Sequence, residues 1–278
     1  SYDDVISQFT NELSFSKIIR NYSNNKSEDI TLNIEDKYYT VSSAVFKEEN
    51  GALAGIIVVF QDITESRRLE ELRRDFVANV SHELKTPITA IKSYTETLLD
   101  GAIEDKDTAT SFLGVINNES DRMNNIIKDL LQLSHMDYKK ESWDMALTDL
   151  NSLAKDCISK MTLHADMKNQ KIVDEVSDDK LPVVIDKSKF EQVIINLISN
   201  AIKYTNDNGT ITVKTFVDEG KCHISVTDDG IGIPEKDLPF IFDRFYRVDK
   251  GRSRSLGGTG LGLSICESIV AEHGGTIS

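Results

Sequence analysis

The 278-residue sequence predicts a multidomain α+β protein, and three observations carry that prediction. Residues 1 to 62 alternate polar and apolar side chains in the manner of strands, after one amphipathic helical stretch. Residues 63 to 140 change to a 3–4 apolar spacing, the period of a helix buried along one stripe. From residue 146 strand and helix patterns mix, with glycine-rich turns between them.

In the first segment Tyr38, Tyr39, Val41, Val45 and Phe46 belong to one strand, Glu48-Glu49-Asn50-Gly51 is a turn, and Leu53 to Phe60 is the returning strand. Beyond Asp62, Leu69, Leu72, Phe76 and Val80 form a coiled-coil-like seam. The stripe continues through Leu84, Ile88, Ile91 and Leu98 and stops at Asp100-Gly101. A second helix from about Lys106 to Met136 places Phe112, Ile116, Met123, Ile126, Leu130 and Leu133 on one face. Two long helices joined by a short polar loop make an antiparallel hairpin. Such a hairpin cannot cover its own stripe. A homodimer closing a four-helix bundle solves this, and packing on another domain of the same chain is the alternative. Further on, Leu150–Met167 and Lys187–Tyr204 read as helices, and Lys171–Val176, Val183–Ile185, Thr210–Val217 and Lys221–Thr227 as strands. A mostly antiparallel sheet with helices on one face is expected.

Composition narrows the function. Hydrophobic residues make up 39% and charged residues 28%, which is ordinary for a globular protein. No apolar run reaches the roughly 18 residues of a membrane span and no signal peptide is visible, so the chain as it stands is expected neither to span a membrane nor to be exported. A net charge of −14 argues against nucleic acid as a partner. Any phosphate ligand then needs a local cation cluster or a metal. Cys157, Cys222 and Cys266 are too widely spaced for a zinc site or a disulfide framework, and a reducing compartment fits them.

The chemistry concentrates in a few stretches. Asn79-Val-Ser-His-Glu-Leu-Lys-Thr-Pro87 puts His82 and Thr86 on one helical face, and Pro87 crowds the carbonyl of Glu83, so a bend is expected just after the histidine. An imidazole beside a carboxylate that can take its proton is poised as a nucleophile. The zinc-protease spacing His-Glu-x-x-His fails here at Thr86. Downstream, Asn196, Asn200 and Lys203 recur at i, i+4 and i+7 opposite an apolar face. Amide oxygens can ligate a hard cation and Lys203 can neutralise a phosphate, although a merely solvated face has the same pattern. Asp228-Asp229-Gly230-Ile231-Gly232-Ile233 follows a strand, where glycines admit a flat ligand and a buried carboxylate can accept from an exocyclic amine. Phe240-Ile-Phe-Asp-Arg-Phe-Tyr-Arg247 reads as an aromatic anchor for a lid, or as ordinary core. Gly257-Gly-Thr-Gly-Leu-Gly-Leu263 opens an amphipathic helix whose N-terminus can meet phosphates, and its glycine spacing is not that of a dinucleotide fold. The preceding loop carries Lys250, Arg252 and Arg254.

In this order and spacing these stretches resemble the two-component sensor histidine kinases, over roughly residues 66 to 278. His82 to Pro87 resembles the phosphoacceptor box, Asn196 to Tyr204 the asparagine box, and the later stretches the two glycine boxes and the phenylalanine box between them. Phe76 to Pro87 and Ile241 to Arg247 are similar to one branch of that family in detail, and Gly55 to Thr64 is similar to the end of a PAS sensor domain. The resemblance implies a partial PAS domain at 1–62, a coiled-coil linker with dimerising phosphotransfer hairpin at 63–140, and at 146–278 an α/β-sandwich ATP-binding domain of the histidine kinase/gyrase/Hsp90 type.

It further implies ATP and Mg2+ as cofactors, a response-regulator receiver domain as partner, and autophosphorylation of His82 with Glu83 as base and Thr86 positioning water for the reverse reaction. The metal ligand would be Asn200. The implied nucleotide site comprises Asn196, Asn200, Lys203, Tyr204, Asp228, Gly230, Gly232, Ile233, Phe242, Arg244, Phe245, Arg247, Gly258, Thr259, Gly260, Leu261 and Gly262. Both ends look trimmed relative to the family, which implies the cytoplasmic portion of a membrane-anchored bacterial protein, in contact with the membrane only through segments absent from this chain. A silent dimeric scaffold and a stand-alone ATPase of the related superfamily are the alternatives. The second would need a base one turn before Asn200, where Asn196 stands; Glu191 faces elsewhere.

Overall fold

A computed structural model of the chain describes residues 30–34, 36–50, 53–137, 142–248 and 258–278. The helix expected near the N-terminus, the cations Lys250, Arg252 and Arg254, and Gly257 lie outside the described residues. The chain divides into two compact units, Ser1–Ala78 and Asn79–Ser278.

In the first unit, β1 (Ile30–Ile34), β2 (Lys37–Lys47) and β3 (Leu53–Asp62) form an antiparallel meander in the order β1-β2-β3. Leu32 and Val41 are its buried centre, with Ile30, Tyr39 and Val58 around them. β1 is an addition to the two strands expected from the alternation. Asp62 then accepts from the Thr64 amide at 2.9 Å, starting the helix α1 (Thr64–Leu99).

α1 continues into the second unit, where it ends before Gly101, whose φ of 116° stops the helix. Asp105 starts α2 (Lys106–Asp137) by accepting from the Asp107 amide and the Thr108 hydroxyl. Tyr94 meets Phe112 with ring centroids 5.0 Å apart, and Glu83 meets Arg122. The two pairs have nearly equal residue sums, as an antiparallel hairpin requires. The bend expected after His82 does not interrupt α1, which carries the buried Pro87 inside it.

The rest of the unit holds β4 (Met145–Asp149), α3 (Leu150–Asp166), β5 (Lys171–Glu175), β6 (Pro182–Asp186), α4 (Lys187–Tyr204), β7 (Thr210–Asp218), β8 (Lys221–Asp228) and α5 (Gly262–Glu272). The pairing is mostly antiparallel as expected, but the one sheet needs correcting to two. Among the described residues β4 pairs β6 antiparallel, and a separate sheet runs β5-β7-β8 with β5 parallel to β7. The α3–β5 and α4–β7 connections bring the strands in side by side and in one direction, a relation the sequence pattern does not encode. α3 and α4 cover these strands around Leu153, Ile194, Ile198 and Ile211.

The hairpin stripe also has a cover inside the chain. Leu133 and Met136 are buried with Val193, Leu261, Ile265 and Ile269, and Leu130 packs against them. The lower end of the stripe therefore takes the alternative given above, packing on another domain of the same chain. Ile88, Leu99, Ile103, Leu113, Ile127 and Leu131 stay exposed on the hairpin.

Both ends of α4 are fixed, which aims the Asn196–Asn200–Lys203 stripe. At its start Asp186 accepts from the amides of Ser188 (3.0 Å), Lys189 (3.2 Å) and, across the β4 entry, Asp144 (3.1 Å). Burial opposes ionisation of Asp186, but these hydrogen bonds and the Ser188 hydroxyl prevail and hold its carboxyl below the usual range. At the other end Lys168 and the buried Gln170 donate to the carbonyl of Ile202. Asp186→Ala should lower unfolding stability by about 1–2 kcal/mol, the scale of a lost helix cap. The folded-state pKa is depressed, so the contribution is present above the unfolded value near 4 and is lost as pH falls. Denaturant titrations at pH 7 and pH 3 check this: the difference from wild type should shrink at the lower pH.

Candidate active site

His82 is exposed on α1, and the Thr86 hydroxyl donates to its carbonyl at 3.3 Å, as the i+4 spacing requires. Glu83 is drawn inward. Its carboxylate takes Arg122 of α2 at 3.1 Å and Arg247 of the phenylalanine-box segment at 3.5 Å, with all three side chains largely buried. The phosphoacceptor-like helix and the lid-like segment thus meet at the residue next to His82.

On α4, Lys203 is half-buried and its amine is pushed down to about 8, first by burial and then by Arg247, Arg122 and Lys168. The backbone of Gly258 passes so close that a Cβ there would collide with Lys203 Nζ. Asn196 lies beside Gly262 and donates to Cys266 Sγ at 3.7 Å, while Asn200 is partly exposed next to them in the stripe. Tyr204 closes α4, and its carbonyl accepts from the Ile231 amide at 3.3 Å. Asp228 is exposed rather than buried as expected, because it stands at the open end of β8, and it accepts from the Gly230 amide at 2.9 Å. Gly232 and Ile233 are exposed beyond it, in a place where a flat ligand could lie.

The lid-like segment is joined to the glycine loop by its backbone. The Phe245 amide donates to the Gly260 carbonyl at 2.8 Å, and both residues have positive φ, 66° and 74°. A Cβ on Gly260 would sit 2.9 Å from the Phe245 backbone, so this crossing requires glycine. Phe245 packs on the core with Leu133 and Leu261, the ordinary reading of one phenylalanine. Phe242 is partly exposed and Arg244 exposed. Leu261 is fully buried; only its amide faces the loop, donating to the Thr259 hydroxyl at 3.2 Å.

The structure therefore brings together the Asn196–Tyr204 stripe, the Gly258–Gly262 loop and the Asp228–Gly230 turn, and links Arg247 to Glu83. Sequence reasoning missed Arg122, Asp129 and Gln170. The first two look like the solvated face of α2, and no local spacing distinguishes them. Glu191, a carboxylate on the same helix as the stripe, is paired with Lys160 at 2.5 Å on α3, away from Asn200.

Residues 72–139 match the family model for the His Kinase A (phospho-acceptor) domain, and residues 185–278 match that for the histidine kinase-, DNA gyrase B-, and HSP90-like ATPases. The chain belongs to the two-component sensor histidine kinases. It is 44% identical over 239 residues to the sensor histidine kinase WalK of Bacillus subtilis strain 168, an alignment covering 85% of this chain and 39% of that protein. It is 39% identical over 257 residues to a sensor protein kinase WalK of Staphylococcus aureus, covering 91% of this chain and 61% of that one. The branch suggested by residues 76–87 and 241–247 is thus the WalK branch. The chain spans about two-fifths of the length of the first of these relatives. Among solved structures it is similar to histidine kinase ThkA in complex with response regulator protein TrrA, with a TM-score of 0.60 and 27% identity, covering 94% of this chain and 76% of that one. It is also similar to the Acinetobacter baumannii histidine kinase AdeS, with a TM-score of 0.54 and 25% identity over 68% of this chain and 86% of that one. No helix among the described residues is long and apolar enough to cross a membrane.

Proposed function

We propose that this sensor histidine kinase chain transfers the γ-phosphoryl group of ATP to His82 and then to an aspartate of a response-regulator receiver domain. The observation that carries the reading is the cation cluster at the glycine loop of a chain with net charge −14. Burial first, and then the neighbouring charges of Arg247, Arg122 and Lys168, push Lys203 down to about 8. A polyphosphate relieves that repulsion, so the residues present fit ATP.

In this reading Asp228 accepts from the adenine amine, and Asn196, Lys203 and the amides of Gly258 to Gly262 hold the phosphates. Gly230, beside Tyr204, with Gly232 and Ile233 would admit the flat base, and Phe242, Arg244 and Arg247 would belong to a lid that Phe245 anchors in the core. Among the described residues there is no cluster of three acidic, His or Cys ligands, so Mg2+ would be held by Asn200 with the phosphates, in keeping with its habit of taking few protein ligands. The ion would neutralise charge on the transferring group. An imidazole nitrogen of His82 forms the N–P bond as the bond from phosphorus to the ADP oxygen breaks, and Glu83, once released from its ion pairs with Arg122 and Arg247, takes the imidazole proton. Thr86 positions water for dephosphorylation of the regulator. The exposed apolar residues of the hairpin close a homodimer as a four-helix bundle. β1 to β3 are the end of a PAS sensor domain, and the whole belongs to the cytoplasmic side of a membrane-anchored bacterial sensor.

Incubation with γ-labelled ATP and magnesium, followed by acid and alkali treatment, tests this. Wild type should carry label that is lost in acid and survives alkali, and His82→Gln should carry none. Label-free protein that releases phosphate steadily in both forms would make it an ATPase instead. Label-free protein that binds nucleotide without turnover would make it a silent scaffold.

A further inference from the structure

The lower half of α2 contacts the ATP-binding domain through more than its apolar stripe. Gln132 and Gln192 exchange side-chain hydrogen bonds, each 2.8 Å long. One turn earlier the carboxylate of Asp129 accepts from the Thr259 hydroxyl at 3.0 Å. Thr259 sits in the middle of the glycine loop, between Gly258, which faces Lys203, and Gly260, which is bonded to the lid. Its hydroxyl already accepts from the Leu261 amide, so its single proton is committed to the hairpin. Burial raises the Asp129 carboxyl above its usual range even with this hydrogen bond, which marks a costly site for a charge.

We propose that Asp129 is an autoinhibitory latch: it holds the phosphate-binding loop against the hairpin and competes with nucleotide phosphate for Thr259. The inference rests on the ATP reading given above. Thr259 cannot give one proton to both Asp129 and a phosphate oxygen, and a triphosphate in the loop would stand beside a half-buried carboxylate of the same sign. The latched and loaded arrangements of the loop exclude each other. Because only the unlatched fraction binds, the latch weakens apparent affinity in proportion to its population.

Titration of the whole chain with a fluorescent, non-hydrolysable ATP analogue and magnesium tests the latch. Asp129→Ala should tighten binding about five- to tenfold, the scale of one ordinary net hydrogen bond. Asp129→Asn, which keeps the shape and an acceptor oxygen, should tighten it less, and it decides the matter if the alanine variant does not fold. The same Asp129→Ala change made on Thr259→Val should tighten binding clearly less than it does on wild type, because only the charge repulsion is left to relieve. Equal tightening on both backgrounds would make Asp129 a distant repulsive charge and overturn the latch, as would no tightening at all. A wild-type chain that binds no analogue would instead overturn the nucleotide reading.

Discussion

Gly230→Ala is expected to weaken binding of an ATP analogue by at least about tenfold and to lower the melting temperature of the ATP-binding domain. The added Cβ would lie 2.5 Å from the Tyr204 carbonyl oxygen, 2.9 Å from its carbon and 2.6 Å from Asp228 Oδ1, where ordinary contacts begin at 3.4 Å. Two of these neighbours are backbone at the end of α4 and do not rotate away. The Tyr204 carbonyl is also tied to the Ile231 amide, so relief must come from moving the whole Asp228–Ile231 turn. Overpacking of this kind costs about 1–3 kcal/mol. The displaced group is Asp228, the proposed adenine contact, so part of that strain appears directly as lost affinity, and a tenfold loss corresponds to about 1.4 kcal/mol. Isothermal titration with the analogue, together with thermal melts, reads both effects. Unchanged affinity would mean that Asp228 does not touch the base.

The sequence made legible whatever a local period or a short-range rule controls. The apolar stripe of α2 fixes its span to within a residue, and Asp100-Gly101 fixes the end of α1, because caps and glycine φ act over four residues or fewer. What covers the stripe was not legible. Periodicity cannot tell a dimer seam from an internal one, since the buried Leu133 and the exposed Leu131 are equally apolar and differ only in what the chain brings against them.

The site divided in the same way. The Asn196–Lys203 stripe and the glycine loop announce themselves by residue type. The partners of Glu83, 39 residues away on Arg122 and further still on Arg247, and the Asp129–Thr259 contact across 130 residues, depend on tertiary placement. A carboxylate that reads locally as a free base beside His82 is in the fold a held one.

Lys203→Met should reduce affinity for the ATP analogue on the order of tenfold to a hundredfold, the scale of one charged contact to phosphate. Its pH dependence is the sharper signature. In the folded chain the amine is pushed down to about 8, against an ordinary value of 10.5. Bound phosphate would favour the charged form and raise it again, so binding near pH 8 to 9 should take up a proton. Calorimetric titration in buffers of different ionisation heat measures that uptake. Affinity should fall as pH rises through about 8, because the free chain is then increasingly neutral at Lys203. Stability runs the other way. Between about 8 and 10.5 the unfolded chain binds more protons at this residue than the folded one, so the penalty Lys203 imposes is fully present below that window and relieved as pH climbs through it. Lys203→Met should abolish the proton uptake and flatten both dependences. Uptake that persists in the variant would assign the titrating group to a residue other than Lys203 and leave Lys203 as a neighbour of the phosphates only.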